Sequence, residues 1–368
     1  MYNHHAYLIK TLTHTHMGAY NSTSELIDNM IQRDTLPIDK NNPEKHHKSL
    51  PVIHASSLKG AIKDHFAQRK SDRNKQPKNA QSVKPFTFDI LFGKADQFSS
   101  GKDEISKKNK TAPINIHNYR PKQGLLKFYK ANLLTTPLSS TSNIFYHATS
   151  TGIAIHFFSS LKQFGLLPGK EADEVILFFQ KLQDNLTSTK KDFVVIQKLQ
   201  DDLNPDDNDQ KEKDATLLSN QYPYIAGSNH CMTIETKMPA IAKHYFPAHA
   251  MNSLAIYEHQ TFLDLYNENM PIISRNRLSD QRESKNLFFE EILPKYSTLW
   301  FVCGSYHLAK LQNDQNNSQL QNYEKDRICI ESAYTFFEKR LLNDTIQMGA
   351  NASIGYGMTS IGKLPTIN

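Results

Sequence analysis

A glycine cluster near the end of the chain has the composition of a phosphate-binding loop. Gly349, Gly355 and Gly357 lie in QMGANASIGYG (347–357), although glycine makes up only 14 of the 368 residues. Glycine permits positive φ and a close backbone approach to a ligand, and the amide N–H groups of such loops bind phosphate oxygens. The alternative is an ordinary tight turn after a helix.

The motif SSLKG (56–60) predicts a second phosphate contact. Ser56 and Ser57 are good N-cap residues, and the apolar residues that follow recur with a helical period. These apolar residues are Leu58, Ile62 and Phe66. Lys59 then lies in the first helical turn, where backbone amides and the helix dipole favour anions. Its ammonium group would add a positive charge for a phosphate, unless it simply faces solvent.

Two histidines end the first strongly periodic segment. Residues 6–16, AYLIKTLTHTH, alternate as a β-strand does, which places His14 and His16 on one face. Imidazole titrates near neutral pH and can transfer protons or bind metals. The chain has 16 histidines, and an HTH sequence on a strand is weak support for a metal site.

The charge distribution predicts a polyanionic partner. Residues 59–130 contain 17 Lys and Arg against 6 Asp and Glu, whereas the net charge of the whole chain is only +6. A local polycation attracts nucleic acid by counterion release. A solvated loop of the same composition is the alternative. The opposite bias, at 201–214, predicts an acidic solvated loop without a functional role.

Composition limits the class of protein. A length of 368 residues with 38% hydrophobic residues predicts about two packed units carrying polar insertions. Cys231, Cys303 and Cys329 form no CxxC pair, which argues against a disulfide framework or a thiolate zinc site. No apolar run approaches the ~20 residues needed to cross a bilayer. We therefore expect a cytoplasmic protein that is not bound to a membrane.

Strands alternate with helices along the chain, which predicts an α+β fold. The ferredoxin-like β-α-β-β-α-β arrangement, also used by RNA-recognition modules, fits this order. Neither GxGxxG nor GxxxxGK[ST] occurs. The strands are predicted at 6–16, 124–137 (a strand or hairpin arm), 231–236, 271–278 and 298–303. The helices are predicted at 56–67, 152–164, 259–268 and 323–342, with shorter apolar pieces at 173–183 and 192–200.

Six segments together carry a family resemblance. They are IDNMIQRD (27–34), LPVIHASSLKGAIKDHF (50–66), LFG (91–93), LLKFYKANLLTTPL (125–138), LFFEEILP (287–294) and IQMGANASIGYGM (346–358). The chain resembles the RAMP superfamily of CRISPR proteins, and most of all the backbone subunit of type III-B (Cmr-type) effector complexes. IDN is also similar to the type III-A (Csm-type) counterpart. Ala55 and Ala350 stand where family members commonly have glycine, which puts the geometry of both loops in question.

The resemblance implies a ferredoxin-like body with inserted subdomains and a protruding thumb hairpin. The first part of the body would comprise residues 1–164, with the basic insertion at 67–122. An inserted subdomain at 165–257 would include the acidic loop and, within 230–257, the thumb. Residues 258–368 would complete the body and include the glycine-rich loop.

The resemblance also implies a function and a set of site residues. Copies of the subunit would polymerise along a CRISPR guide RNA, beside other type III effector subunits, and would cleave complementary target RNA at regular intervals. Asp28 would lie at the cleaved phosphate and hold a divalent cation, Mg²⁺ or Mn²⁺, because a carboxylate alone is a weak base for a hydroxyl at neutral pH. His16 would donate to the leaving oxygen or a phosphate. Glu290 is a further catalytic candidate, with a solvated surface glutamate as the alternative.

The remaining candidate residues would bind RNA. They are Arg33, Ser56, Ser57, Lys59, Gly349, Asn351, Ser353, Gly355 and Tyr356. Two alternatives to RNA-guided cleavage stay open at this point. One is a non-catalytic guide-binding scaffold of a type III complex, and the other is a stand-alone endoribonuclease that processes CRISPR RNA.

Overall fold

The structure is a computed structural model, and it describes the chain in eleven segments. These are residues 2–19, 27–34, 49–71, 91–93, 124–140, 144–198, 216–218, 231, 238–251, 253–306 and 333–365. Within these segments, no helix combines the length and apolar character of a membrane span.

The described residues contain fourteen strands, seven α-helices of four or more described residues and a short 3-10 helix (Ala352–Ile354). The strands are β1 (Tyr2–Thr11), β2 (Arg33–Asp34), β3 (Leu50–Ile53), β4 (Leu126–Phe128), β5 (Ala131–Ser139), β6 (Phe145–Ser150), β7 (Phe193–Lys198), β8 (Thr216–Leu218), β9 (Leu254–Tyr257), β10 (Ile272–Leu278), β11 (Ser284–Glu291), β12 (Thr298–Tyr306), β13 (Thr345–Gln347) and β14 (Met358–Lys363). The helices are α1 (Ala55–Ser71), α2 (Thr151–Gln163), α3 (Gly169–Thr189), α4 (Ala240–Tyr245), α5 (Ala248–Met251), α6 (His259–Glu268) and α7 (333–343).

Four antiparallel strands form the ferredoxin-like core. They lie side by side in the order β14-β1-β12-β5. In chain order they and two helices read β1-α1-β5-β12-α7-β14, which is the predicted β-α-β-β-α-β pattern. The two helices pack together, since the rings of Phe66 and Phe337 stack with their centroids 5.6 Å apart. The predicted fold class is confirmed.

The segment between β5 and β12 extends the same sheet. β6 pairs with β5, β9 runs parallel to β6, and β7 pairs with β9. α2 packs on β5 and β6, and α3 packs on α2, where the buried rings of Phe158 and Phe179 stack with their centroids 6.0 Å apart. One hydrophobic cluster includes residues from all three predicted parts of the chain. The division at 164 and 257 stays a prediction.

A separate two-stranded hairpin, β10–β11, leaves the large sheet. Its register pairs Ile272 with Glu291 at the base, and the residues toward its turn are exposed. The sequence placed the thumb within 230–257, but the described residues there form α4, α5 and the fully buried strand β9. Residues 230, 232–237 and 252 lie outside the described residues, so the thumb within 230–257 stays a prediction. Among the described residues, 272–291 form an exposed hairpin.

Apolar periodicity located most elements correctly. In α1, Leu58, Ile62 and Phe66 are buried as expected. The first strand ends at Thr11 instead of 16, and α3 is longer than the apolar piece at 173–183. Of the predicted strand 231–236, only Cys231 is described. The first ten residues of the predicted helix 323–342, the acidic loop 201–214 and most of the basic insertion lie outside the described residues.

Candidate nucleic-acid interface

The segment that contains Asp28 rests on the last residues of β11. The Asp28 and Asn29 amides donate to the Phe289 carbonyl at 3.2 and 3.1 Å. The Phe289 amide in turn donates to the Asp28 carboxylate at 2.8 Å. Asp28 is exposed. The hairpin base therefore holds this carboxylate at the surface in a defined position.

Glu290 connects the hairpin to the glycine-rich loop. Its carboxylate accepts from Arg275 at 2.9 Å and from the Asn351 side-chain amide at 3.1 Å. Arg275 also donates to Asn351 at 2.8 Å. Glu290 is buried, so the solvated alternative considered for it is wrong. The Glu290 carboxylate holds Asn351 and Arg275 in place and does not face an open site.

Glu291 holds the residues that follow Asp28. Its side chain is 2% exposed and forms an ion pair with Arg33, whose side chain is 12% exposed. The Ile31 amide donates to the same carboxylate at 3.0 Å. Arg33 also donates to Asn267 at 2.5 Å. Four of its five guanidinium N–H donors thus have internal partners, and the RNA contact of Arg33 stays a prediction.

His16 and His14 have different environments, which corrects the prediction of a shared face. His16 is buried, and its Nδ1 lies 2.7 Å from the Glu291 carbonyl, which can only accept. His14 is exposed and accepts at Nδ1 from the Lys295 amide at 3.3 Å. Partial burial, and then Lys295, lower the pKa of His14. The backbone leaves the strand after Thr11, so two-residue alternation no longer applies.

The glycine-rich loop packs directly on the His16 backbone. Gly349 has a φ of +82°, and a Cβ there would lie 2.3 Å from the His16 carbonyl oxygen. Ala350 avoids positive φ and donates to that oxygen at 2.9 Å, so the alanine at this position causes no strain. Beyond Asn351, Ser353 and Gly355 are exposed and Tyr356 is half-buried.

The start of α1 is tied to this region by Gln32. The Gln32 side chain accepts from the His54 amide at 2.7 Å and donates to the Ser57 hydroxyl at 2.9 Å. The helix begins at Ala55, so Ser56 and Ser57 lie in its first turn and are not the N-cap. Ser56 is exposed and Lys59 half-buried. Burial, and then Lys63, lower the pKa of Lys59.

A cleft of about 460 Å³ separates α1 from the glycine-rich loop. Ser57 and Gly349, from the two motifs predicted to bind phosphate, lie on its walls together with Gln32. Its lining residues are Met17, Gly18, Gln32, Ser57, Gly60, Ala61, Asp64, His65, Gln347 and Gly349. The structure therefore brings together two motifs that are almost 300 residues apart in the sequence.

A family model described as the RAMP superfamily matches residues 8–359 of the chain. The chain belongs to the RAMP superfamily. No curated protein matched it in a sequence search.

Solved structures with the same fold cover nearly the whole RAMP chain. The type III-B Cmr-beta complex in the apo state matches with 16% identity and a TM-score of 0.59, covering 98% of this chain and 97% of the other. The type III-B Cmr-beta complex bound to cognate target RNA matches with 16% identity and a TM-score of 0.57, at the same coverage. Oligomeric Cmr4 from Pyrococcus furiosus matches with 15% identity and a TM-score of 0.54, covering 99% of both chains.

Four contributors to the RAMP site were not found from the sequence. They are the buried Gln32 and Glu291 and the half-buried Asn267 and Arg275. Two adjacent carboxylates inside the apolar run LFFEEILP were the available signal, because carboxylates among apolar residues are usually paired when buried. The sequence does not specify which residues pair with these two carboxylates.

Proposed function

We propose that this RAMP protein is a repeated backbone subunit of a type III-B (Cmr-type) effector complex and binds guide RNA in the cleft. The shared cleft between the first turns of α1 and the glycine-rich loop carries this proposal. Helix-start amides and a glycine loop are suited to sugar–phosphate contacts, and Lys59 lies in the same helical turn as Ser57 and Gly60, which line the cleft. The likeness to a Cmr-beta complex bound to cognate target RNA, and to oligomeric Cmr4, supports RNA, other effector subunits and further copies of the chain as partners.

We propose, further, that the subunit cleaves the target RNA at regular intervals, once per copy. The hairpin β10–β11 would act as the thumb that displaces a nucleotide, because it is exposed and carries Arg277, Arg282 and Lys285 toward its turn. An extruded nucleotide can place its 2′-hydroxyl in line with the adjacent phosphorus. The 2′-oxygen then bonds to phosphorus while Asp28 accepts the hydroxyl proton. The bond to the 5′-oxygen breaks with its electron pair on that oxygen, which takes a proton from water.

Two other sequence candidates take supporting roles in this proposal. His16 is buried and bonded to the Glu291 carbonyl, so we assign it a positioning role for the loop that carries Asp28. Glu290 positions Asn351 in the glycine-rich loop.

A divalent cation at Asp28 stays a prediction. Among the described residues, no group of three His, Cys, Asp or Glu side chains could hold a metal ion. One Asp28 oxygen already accepts from the Phe289 amide. The described residues alone form no such three-ligand site, and we derive no step through a cation.

The replacement Asp28→Asn in the assembled guide-containing complex tests the cleavage. Removing the proton acceptor should slow cleavage of labelled target RNA by about 100-fold or more, the typical contribution of a general base. Guide content and target affinity should not change. Asp184→Asn, which changes an exposed carboxylate on α3, is the matched control and should cleave normally.

Unchanged cleavage by Asp28→Asn would instead support the non-catalytic scaffold. A discrete product from incubating the purified subunit with a CRISPR repeat RNA would support the stand-alone processing enzyme. Guide binding is tested separately by RNA of defined length co-purifying with the subunit, and by its reduction in Lys59→Gln.

A further inference from the structure

A tyrosine occupies a left-handed backbone position at the turn between β11 and β12. Tyr296 has a φ of 72°. Its turn is closed by the Ser297 amide, which donates to the Pro294 carbonyl at 3.3 Å. Tyr296 is the third residue of this turn, where positive φ favours glycine or asparagine. A bulky aromatic residue at such a position costs free energy, and such outliers concentrate at functional sites.

The Tyr296 ring forms one half of an aromatic pair flanked by lysines. It stacks on Phe145 at a centroid distance of 5.6 Å and an angle of 19°. The ammonium groups of Lys295 and Lys10 lie 4.6 and 5.7 Å from its centroid. Both rings are half-buried, so each keeps an accessible part. In the described chain, neither lysine has a carboxylate within ion-pair distance.

This pair is continuous with the glycine-rich loop. The Lys295 amide donates to His14, whose ring meets that of Tyr356 edge-on at 6.1 Å. The Gly357 amide donates to the His14 carbonyl at 2.8 Å. We name this surface the aromatic–basic stripe, and it consists of Lys10, His14, Phe145, Lys295, Tyr296 and Tyr356.

Two histidines lie near Lys10 at one end of the stripe. Burial lowers the pKa of His147 to about 4, with His249 and then Lys10 as further causes. Burial and then Lys10 lower the pKa of His249 to about 4. These rings extend the aromatic series, since His147 lies 5.2 Å from Phe145 and 5.0 Å from His249.

We propose that the aromatic–basic stripe binds a nucleotide of single-stranded RNA, with its base against the Tyr296–Phe145 pair and its phosphate at Lys10 and Lys295. The proposal rests on the proposed function only in taking RNA as the ligand. Aromatic faces beside unpaired cations are the features by which proteins bind single strands without sequence preference. The stripe would thus extend RNA contact beyond the cleft.

Variants of Tyr296 test the base contact. Tyr296→Gly removes the ring and relieves the left-handed strain, so impaired backbone geometry would not explain a loss of binding. Its affinity for a fluorescent oligouridylate, measured by anisotropy with the purified full-length chain, should fall about tenfold. Tyr296→Phe keeps the stacking surface and should keep the affinity.

Variants of the lysines test the phosphate contact. Lys10→Gln and Lys295→Gln should each reduce the slope of log affinity against log salt by about 0.7. Lys181→Gln, an exposed lysine on α3, removes the same charge elsewhere and should leave the slope unchanged. These variants keep the test decisive if Tyr296→Gly does not fold.

The outcomes separate this proposal from the proposed function. Parent-like binding by all stripe variants, with weaker binding by Lys59→Gln, would overturn the stripe and leave the cleft intact. Stripe variants that bind RNA normally but alter self-association would make the stripe a protein interface, which also overturns it. A parent chain that binds no RNA would overturn both proposals.

Discussion

At the residue scale, two adjacent carboxylates on β11 bond to two different loops. Glu290 bonds to Arg275 and Asn351, whereas Glu291 bonds to Arg33 and the Ile31 amide. Successive side chains of a strand point to opposite faces, so neighbouring residues can serve two different loops. One tripeptide, 289–291, thereby fixes the Asp28 segment on one side and the glycine-rich loop on the other.

Replacing Glu291 by Gln should destabilise the fold. The change keeps the side-chain volume but leaves the largely buried Arg33 guanidinium without a counter-charge. Breaking a buried ion pair from one side costs about 3–5 kcal/mol. We expect the free energy of unfolding, measured with urea, to fall by about 3 kcal/mol.

The exposed pair Lys162–Asp173 provides the control for Glu291→Gln. Its side chains are 42% and 62% exposed, so Lys162→Gln should cost less than about 1 kcal/mol. Similar losses for the two variants would show that burial does not set the strength of the Arg33–Glu291 pair.

At the element scale, the glycine-rich loop depends on two glycines in different ways. Gly349 and Gly355 have nearly equal φ values, +82° and +83°. A Cβ at Gly349 would meet the His16 carbonyl oxygen at 2.3 Å, whereas a Cβ at Gly355 has nothing within 4 Å. Of these two positions, Gly349 therefore needs glycine for both conformation and space, whereas Gly355 needs it for conformation alone.

The pair of variants Gly349→Ala and Gly355→Ala separates these effects. Gly355→Ala should cost about 1–2 kcal/mol, the penalty of left-handed backbone for an L-residue. Gly349→Ala adds a backbone clash, so its melting temperature should fall further and its guide content should drop. Equal melting temperatures would contradict the close packing of Gly349 on His16.

The helices and central strands could be predicted from sequence, whereas β11 could not. Elements such as α1 and α6 bury their apolar face, so the spacing of apolar residues in the sequence predicts where these elements lie. In β11 this relation is inverted, because Leu287 and Phe289 are exposed while Glu290 and Glu291 are buried. SSLKG and the glycine-rich loop were recognisable as local motifs. The Arg33–Glu291 contact spans 258 residues, and nothing in the local sequence of either residue specifies the other.

At the scale of the whole molecule, buried neutral histidines make stability depend on pH. Burial lowers the pKa of His259 to about 4, although Glu258 opposes the shift. Burial, and then Lys130, lower the pKa of His156 to about 4 as well. The unfolded chain binds these protons near pH 6.5, before the folded chain does. Stability from these groups is therefore complete above pH 6.5 and is lost as pH falls toward 4.

The variant His259→Gln should flatten this dependence. Each such histidine contributes a slope of about 1.4 kcal/mol per pH unit between pH 6 and 4.5. Urea unfolding at several pH values should show the parent losing stability faster than the variant by about that amount. Parallel profiles for the two proteins would indicate that His259 is protonated in the folded state.

The hairpin that leaves the sheet has a mechanical consequence. Its far end is exposed, while its near end bonds to Asp28, to the glycine-rich loop through Glu290, and to His16 through the Glu291 carbonyl. A displacement of the far end is thus transmitted to all three of these contacts together. Under the proposed function, a neighbouring subunit that contacts the far end of the hairpin would set the position of the Asp28 carboxylate, and assembly would thereby align the cleavage site.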